Sequence, residues 1–220
     1  MWDPKTTQMI IRGIGETLIM TLGSVGFGYL LGLPLGILLA VTDKNGIRPN
    51  RVVYRILDIL IKILRSIQFL ILLILLIPFT TALVGQSYGT KGTVVPLVIS
   101  AAPFIARMVE SSLKEVDPGV IEAAQAMGAG NWTIIWRVLL VEARVSLITG
   151  VTIVIGTVLG YSAMAGVIGG GGLGDIAIRY GYYRYQADIM VVTVILLVVL
   201  TQIFQGIGMM ISKRHDKRIA

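Results

Sequence analysis

Apolar residues in this chain come in runs too long for a strand or for one face of a soluble helix. Thr17 to Val41 is one such run of 25 residues, longer than the ~20 that a helix needs to cross a bilayer. Four more runs follow, separated by short polar or charged intervals. The pattern predicts an all-α integral membrane protein with five transmembrane helices at about 17–41, 67–84, 93–109, 145–168 and 187–212. Together they make a single transmembrane domain over residues 1–220. Glycines recur at four-residue spacing, as Gly28, Gly32 and Gly36 in the first run and Gly156 and Gly160 in the fourth. That spacing lets helix backbones approach closely. Pro34 is expected to bend the first span, and Pro96 and Pro103 the third, because proline lacks the N–H a helix interior uses.

The intervals carry their own patterns. Residues 1–16 read as a short polar head with Trp2 as an interfacial anchor, and Thr42 to Arg55 as a loop holding Lys44, Arg48, Arg51 and Arg55 against Asp43. From Tyr54 onward, Arg55, Asp58, Lys62 and Arg65 are spaced three, four and three apart, which puts all four on one helical stripe. Lys62 and Arg65 at mid-membrane would cost roughly 2.5–3.5 kcal/mol each, so an interfacial helix is expected ahead of the second span. The stripe suits the membrane surface and a partner equally. The four glycines 169–172 read as a flexible external connection, since no Lys and Ser or Thr follow at phosphate-loop spacing. Tyr180, Tyr182, Tyr183 and Tyr185 read as an aromatic belt, with a docking surface for an external protein as the alternative.

Composition agrees with a bilayer protein: 55% hydrophobic, 14% charged, mean hydropathy +0.83. A net charge of +7 raises the question of nucleic acid, but the cations sit at the ends of apolar runs and form no continuous basic face. With five spans, fourteen of the nineteen Lys and Arg fall on the side holding the first loop, the 117–142 segment and the carboxyl terminus. That side is expected to be cytoplasmic and the amino terminus external. The absence of cysteine excludes disulfides and thiolate metal sites. No cleavable signal peptide is evident, and His215, the only histidine, belongs to the basic tail.

One polar segment, Asp117 to Glu142, stands apart. Asp117 is a helix cap, Pro118 suits the first turn, and Gly128 and Gly130 stop the helix. Pro118 to Met127 is then a short helix with Val120, Ala123, Ala124 and Met127 on one face and Glu122 and Gln125 opposite. Asn131 is a second cap candidate, with another helix from Trp132. Taken alone, such a helix could lie on the membrane surface, yet it lacks the Lys and Arg that surface helices carry.

Glu122-Ala123-Ala124, then Gly128, then Val138 and Leu140 resemble the EAA loop of ABC importer permeases. AAPFIARMVE at 101–110, IEAAQAMGA at 121–129, GYSAMAG at 160–166 and GGLGDI at 171–176 are similar to the methionine-uptake branch of that family. The resemblance covers the chain from about Gly15 onward. It departs at Val141, Gln68 and Val145, where relatives tend to carry proline.

The resemblance implies a permease homodimer with two copies of a cytoplasmic ABC ATPase, which carry ATP and Mg, and an external binding protein or lipoprotein. No cofactor or metal is expected in this chain, which has no GxxxxGK[ST]. In such a permease Glu122, Ala123, Ala124, Met127 and Gly128 would couple the spans to the ATPase. Tyr161, Ser162 and Met164, within GYSAMAG, are candidates for the solute path. Another amino acid or small organic solute fits the same architecture. A channel or secondary carrier working without ATP is the rival class, and it gives no reason for the EAA spacing.

Overall fold

The computed structural model describes residues 3–215, the side chain of residue 215 excepted. Trp2 and the tail beyond residue 215 lie outside the described residues. The described chain is helical, in the order α1 (Pro4–Thr42), α2 (Arg51–Ser66), α3 (Phe69–Leu75), α4 (Ile77–Val84) and α5 (Gly89–Lys114). Then come α6 (Pro118–Ala126), α7 (Asn131–Thr133), a π-helical stretch (Ile134–Leu139), α8 (Leu140–Glu142) and α9 (Arg144–Met164). A 3₁₀ turn (Ala165–Ile168), α10 (Gly172–Ile176), a second π stretch (Ala177–Tyr182) and α11 (Ala187–His215) complete it.

Four helical segments among the described residues are long and apolar enough to cross a membrane: Pro4–Thr42, Gly89–Lys114, Arg144–Tyr182 and Ala187–Arg214. The stretch expected as a second span, 67–84, is instead two short helices that meet at Leu76. Pro78 is the cause. It has no N–H to offer the Ile74 carbonyl, and its ring crowds that carbonyl. The helix preceding it therefore ends at Leu75. The first helix also begins earlier than hydropathy suggests, because the polar residues 4–16 continue the same helix.

α5 lies at the centre and α1 packs along it. Gly32 and Gly36 let the two backbones touch: a Cβ at Gly32 would lie 2.6 Å from the Ala102 carbonyl oxygen, and one at Gly36 2.6 Å from that of Ala106. The glycine spacing thus faces α5, which is the close packing that small residues permit in lipid. Around this seam Leu97, Ile105 and Val109 of α5 join Met20 of α1, Leu73 of α3 and Val154 and Val158 of α9 in one buried cluster.

The glycine run is no free connection. Gly170 and Gly172 are buried. The N–H groups of Gly172 and Leu173 donate to Glu16 Oε2 and Thr17 Oγ1 of α1, each at 2.9 Å. Gly89 N–H donates to the Gly169 carbonyl at 2.9 Å. Glycine is needed here because α1 and α5 come against the turn's own backbone, and Gly169, Gly171 and Gly172 all adopt positive φ. Tyr182 and Tyr183 are exposed and pack edge to face, with ring centroids 5.3 Å apart.

Candidate functional site

The site is the end of the bundle where α5 passes into α6. Asp117 caps α6, its Oδ1 accepting the Gly119 N–H at 2.7 Å, and Pro118 occupies the first helical position, where its missing N–H costs nothing. The helix closes at Met127, and Gly128 takes φ +80° with open space around it. Ala129 N–H reaches back to the Ala124 carbonyl at 3.0 Å, completing a left-handed stop. Asn131 does not cap the next helix. Gly130 takes that place with an extended backbone, and Asn131 is the first residue of α7.

The expected docking face divides in two. Ala124 is turned inward, only 5% exposed, in the same buried cluster as Ile134 and Leu139. Val120, Glu122, Ala123 and Met127 are exposed, Met127 at 82%. Periodicity placed all four apolar residues together but could not say which edge of their arc meets the rest of the chain. Beyond the turn, Trp132 and Trp136 stand exposed and tilted against each other at 5.6 Å. This apolar pair widens the α6 surface. Its i, i+4 spacing just after a glycine stop was a readable signal that sequence reasoning passed over.

On the polar side of α6, Glu122 and Gln125 line a groove of ≈ 380 Å³ shared with Asp43, Asn45 and Lys114. Lys114 begins a cluster of charges that ties three elements together. Its Nζ lies 2.7 Å from Glu110 Oε1 and 3.3 Å from Asp43. Glu110, 2% exposed, also accepts from Tyr54 of α2 at 3.0 Å and from Arg107 at 2.6 Å. The other arm of Arg107 bonds Asp58 of α2, which pairs with Lys62 at 2.8 Å. Three carboxylates thus face three cations, and each buried charge is satisfied. The Arg107 guanidinium, helped by Lys62, holds the Asp58 carboxyl below the usual carboxylate range. Of the predicted stripe, Asp58 faces this cluster, while Arg65 lies over the Phe104 ring at 5.7 Å.

The helix breaks near the departures from the family pattern need no proline. Ile67 and Gln68 are extended and end α2 unaided. At Val141 the chain stays helical through Glu142, and Ala143, with ψ near 0°, makes the bend into α9. Val145 lies inside α9.

Tyr161, Ser162 and Met164 do not converge. Tyr161 stacks on Phe69 with ring centroids 4.6 Å apart. Ser162 is buried and spends its hydroxyl on the Leu159 carbonyl at 2.7 Å. Met164 is 51% exposed. At 100° per residue it falls on the Tyr161 side of the helix, with Ser162 turned well away from it.

Residues 32–217 match the family described as binding-protein-dependent transport system inner membrane component. The chain belongs to this family. It is a transport component and not an enzyme. The probable D-methionine transport system permease protein MetI of Vibrio cholerae is 46% identical over 217 residues, which cover 99% of this chain and 96% of that one. The D-methionine transport system permease protein MetI of Escherichia coli K12 is 49% identical over 158 residues, 72% of this chain and 73% of the relative. A chain from inward-facing structures of the MetNI methionine ABC transporter superposes with TM-score 0.97 at 44% identity, covering 98% of this chain and all of the other.

Proposed function

We propose that this chain is the permease subunit of an ATP-driven importer of methionine, working as a two-fold homodimer in a bacterial inner membrane. Each copy would bind one cytoplasmic ABC ATPase, which supplies ATP and Mg, and the pair would receive solute from an external binding protein or lipoprotein. The observation that carries the reading is the near-complete superposition on the methionine transporter chain together with an EAA helix that offers Glu122, Ala123 and Met127 outward. Five crossings result if α3 and α4 count as one broken span. Their residues 69–84 reach ~24 Å at 1.5 Å per residue, and α2 leads into them from the interface. The amino terminus is then external and the carboxyl terminus cytoplasmic, in line with the positive-inside count.

In this mechanism ATP binding draws the two ATPases together, and each pulls on the α6 helix of its permease. Glu122, Ala123 and Met127 make the contact, Ala124 fastens α6 to the bundle, and Gly128 supplies the turn. The spans then pass from inward-open to outward-open, accept solute, and return after hydrolysis. Along the solute path the Tyr161–Phe69 stack is the element we favour, with Ser162 fixing the local backbone and Met164 facing a neighbour.

The test is ATP-dependent uptake of labelled methionine into vesicles holding this chain, its ATPase and its binding protein. We expect uptake that requires ATP and is lost in Glu122→Lys while the complex remains folded. Uptake without the ATPase would establish the channel or carrier reading instead. Import of other amino acids but not methionine would keep the class and change the solute.

A further inference from the structure

α2 is bound to the rest of the chain in an unusual way. It is 16 residues long, yet Ile61 is its only buried residue, and Val52, Ile56, Ile59, Leu60 and Ile63 are turned outward and at least half exposed. Its apolar packing is confined to one small cluster, Ile61 against Leu39 of α1 and Ala106 of α5 with Tyr54 and Leu57 beside them. Its polar ties to the last two turns of α5 are Tyr54 to Glu110 and to Lys114, and Asp58 to Arg107. Lys114, on the same carboxylate as Tyr54, is the last residue of α5 and lies three residues before the α6 cap Asp117. Between them Val116 is buried and Glu115 continues the helical backbone. A displacement of α6 must carry Lys114, and Lys114 and Glu110 share one helix end.

We infer that Arg107 and Glu110 are positioning residues that make α2 travel with α6, so that a pull on the coupling helix moves the entry to the second span. The inference rests on the proposed permease reading. Arg107 suits the task because a planar guanidinium bonds Asp58 and Glu110 at once, whereas an ammonium presents a single point of charge. Charge pairs also keep their strength over small shifts better than interlocked side chains do, since Coulomb energy falls slowly with distance. The cluster can thus drag α2 without demanding one fixed packing.

The experiment uses the whole complex in vesicles, comparing wild type, Arg107→Lys and Arg107→Met for methionine imported per ATP hydrolysed. In Arg107→Met the ratio is expected to fall about tenfold, within the range of measured site-to-site couplings, with hydrolysis nearly unchanged although the melting temperature falls with the loss of the pair. Arg107→Lys should fall between. Uptake and hydrolysis that decline in proportion, leaving the ratio unchanged, would show a structural role only and overturn the inference. A second readout does not depend on the solute. The chain has no cysteine, so single cysteines at the exposed Ile56 and at the exposed Ala126 of α6, which the proposed ATPase contact does not use, accept spin labels cleanly. In complexes with one labelled copy, a non-hydrolysable ATP analogue should leave their separation narrow in wild type and broaden it in Arg107→Met. An unbroadened distribution in the variant defeats the inference, whereas a wild type that imports no methionine defeats only the transport reading.

Discussion

Where the 169–174 turn meets the end of α9, backbone rests on backbone, and against α1 it meets the side chains of Glu16, Thr17 and Met20, the first two each accepting one N–H. At the opposite end, where α5 passes into α6, α2 is joined to α5 by carboxylates and cations, beside a small apolar cluster of Ile61, Ala106 and Leu39. The first kind of contact has a single good geometry, because a glycine seam loses its fit as soon as either backbone shifts. The second tolerates movement, since Arg107, Glu110, Asp58 and Lys114 each have two charged partners within reach. On the proposed permease reading, an importer driven at α6 has use for both: a fixed junction away from the ATPase, and a yielding one beside it.

The glycine junction is the more sensitive of the two to a single added side chain. A Cβ at Gly166 would lie 2.5 Å from the Asp175 nitrogen, and one at Gly174 2.6 Å from the Ala163 Cα. Both obstacles are backbone and cannot rotate away. Gly166→Val and Gly174→Val are each expected to cost about 3 kcal/mol or more, the upper range for overpacking. The check is the yield of monodisperse protein and its melting temperature. Gly160→Ala is the control: nothing lies within 4 Å of its Cβ, and alanine in a helix gains up to about 1 kcal/mol over glycine. If Gly166→Val folds as well as Gly160→Ala, the junction is not the rigid element described.

How much of this was legible in the sequence differs between the two ends. The α6 helix, its Asp117 cap and its Gly128 stop were readable because each depends on neighbours in the chain. So was the α2 stripe, since its spacing is local. Its partners were not, because Arg107 lies 49 residues from Asp58. Even so, Arg107, Glu110 and Lys114 at i, i+3 and i+7 in an apolar helix were a hint that the stripe had a mate. The glycine run misled for a physical reason: glycine marks both a chain that is free and a chain that is closely approached, and no side chain remains to tell which. For Tyr161 the stacking partner Phe69 was not readable, because it lies far away in the chain.

At the α6 turn the two ends can be compared on equal terms, because Gly128 also takes positive φ but has nothing within 4 Å. Space is not the constraint there, only backbone conformation. Gly128→Val should cost ~1–2 kcal/mol from the left-handed geometry, felt as about a 5- to 30-fold loss of ATPase binding. Gly128→Asn should lose much less, since asparagine visits that region. Co-purification of the ATPase and ATP-driven uptake read both. Equal losses in the two variants would mean that the turn makes a side-chain-sensitive contact with the partner.

The smallest effect tests whether charge is what joins α2 to α5. Asp58 lies on α2, outside the spanning helices, and its carboxyl is held below the usual range first by the Arg107 hydrogen bond and then by Lys62. A carboxyl whose folded pKa lies below its unfolded value of about 3.9 binds protons more readily when unfolded. It therefore stabilises the fold fully above that value and loses the contribution as pH falls through the lower, folded pKa. Asp58→Asn removes the ionisation but keeps a similar shape. Its melting temperature should lie below that of wild type at pH 7, and the gap should narrow steadily below about pH 4 as the native carboxyl takes up its proton. Taking the difference between the two proteins cancels the other acids, which titrate in both. A gap that stays constant down to pH 3 would mean that shape rather than charge holds α2, and the contrast between the two ends of the bundle would lose its basis.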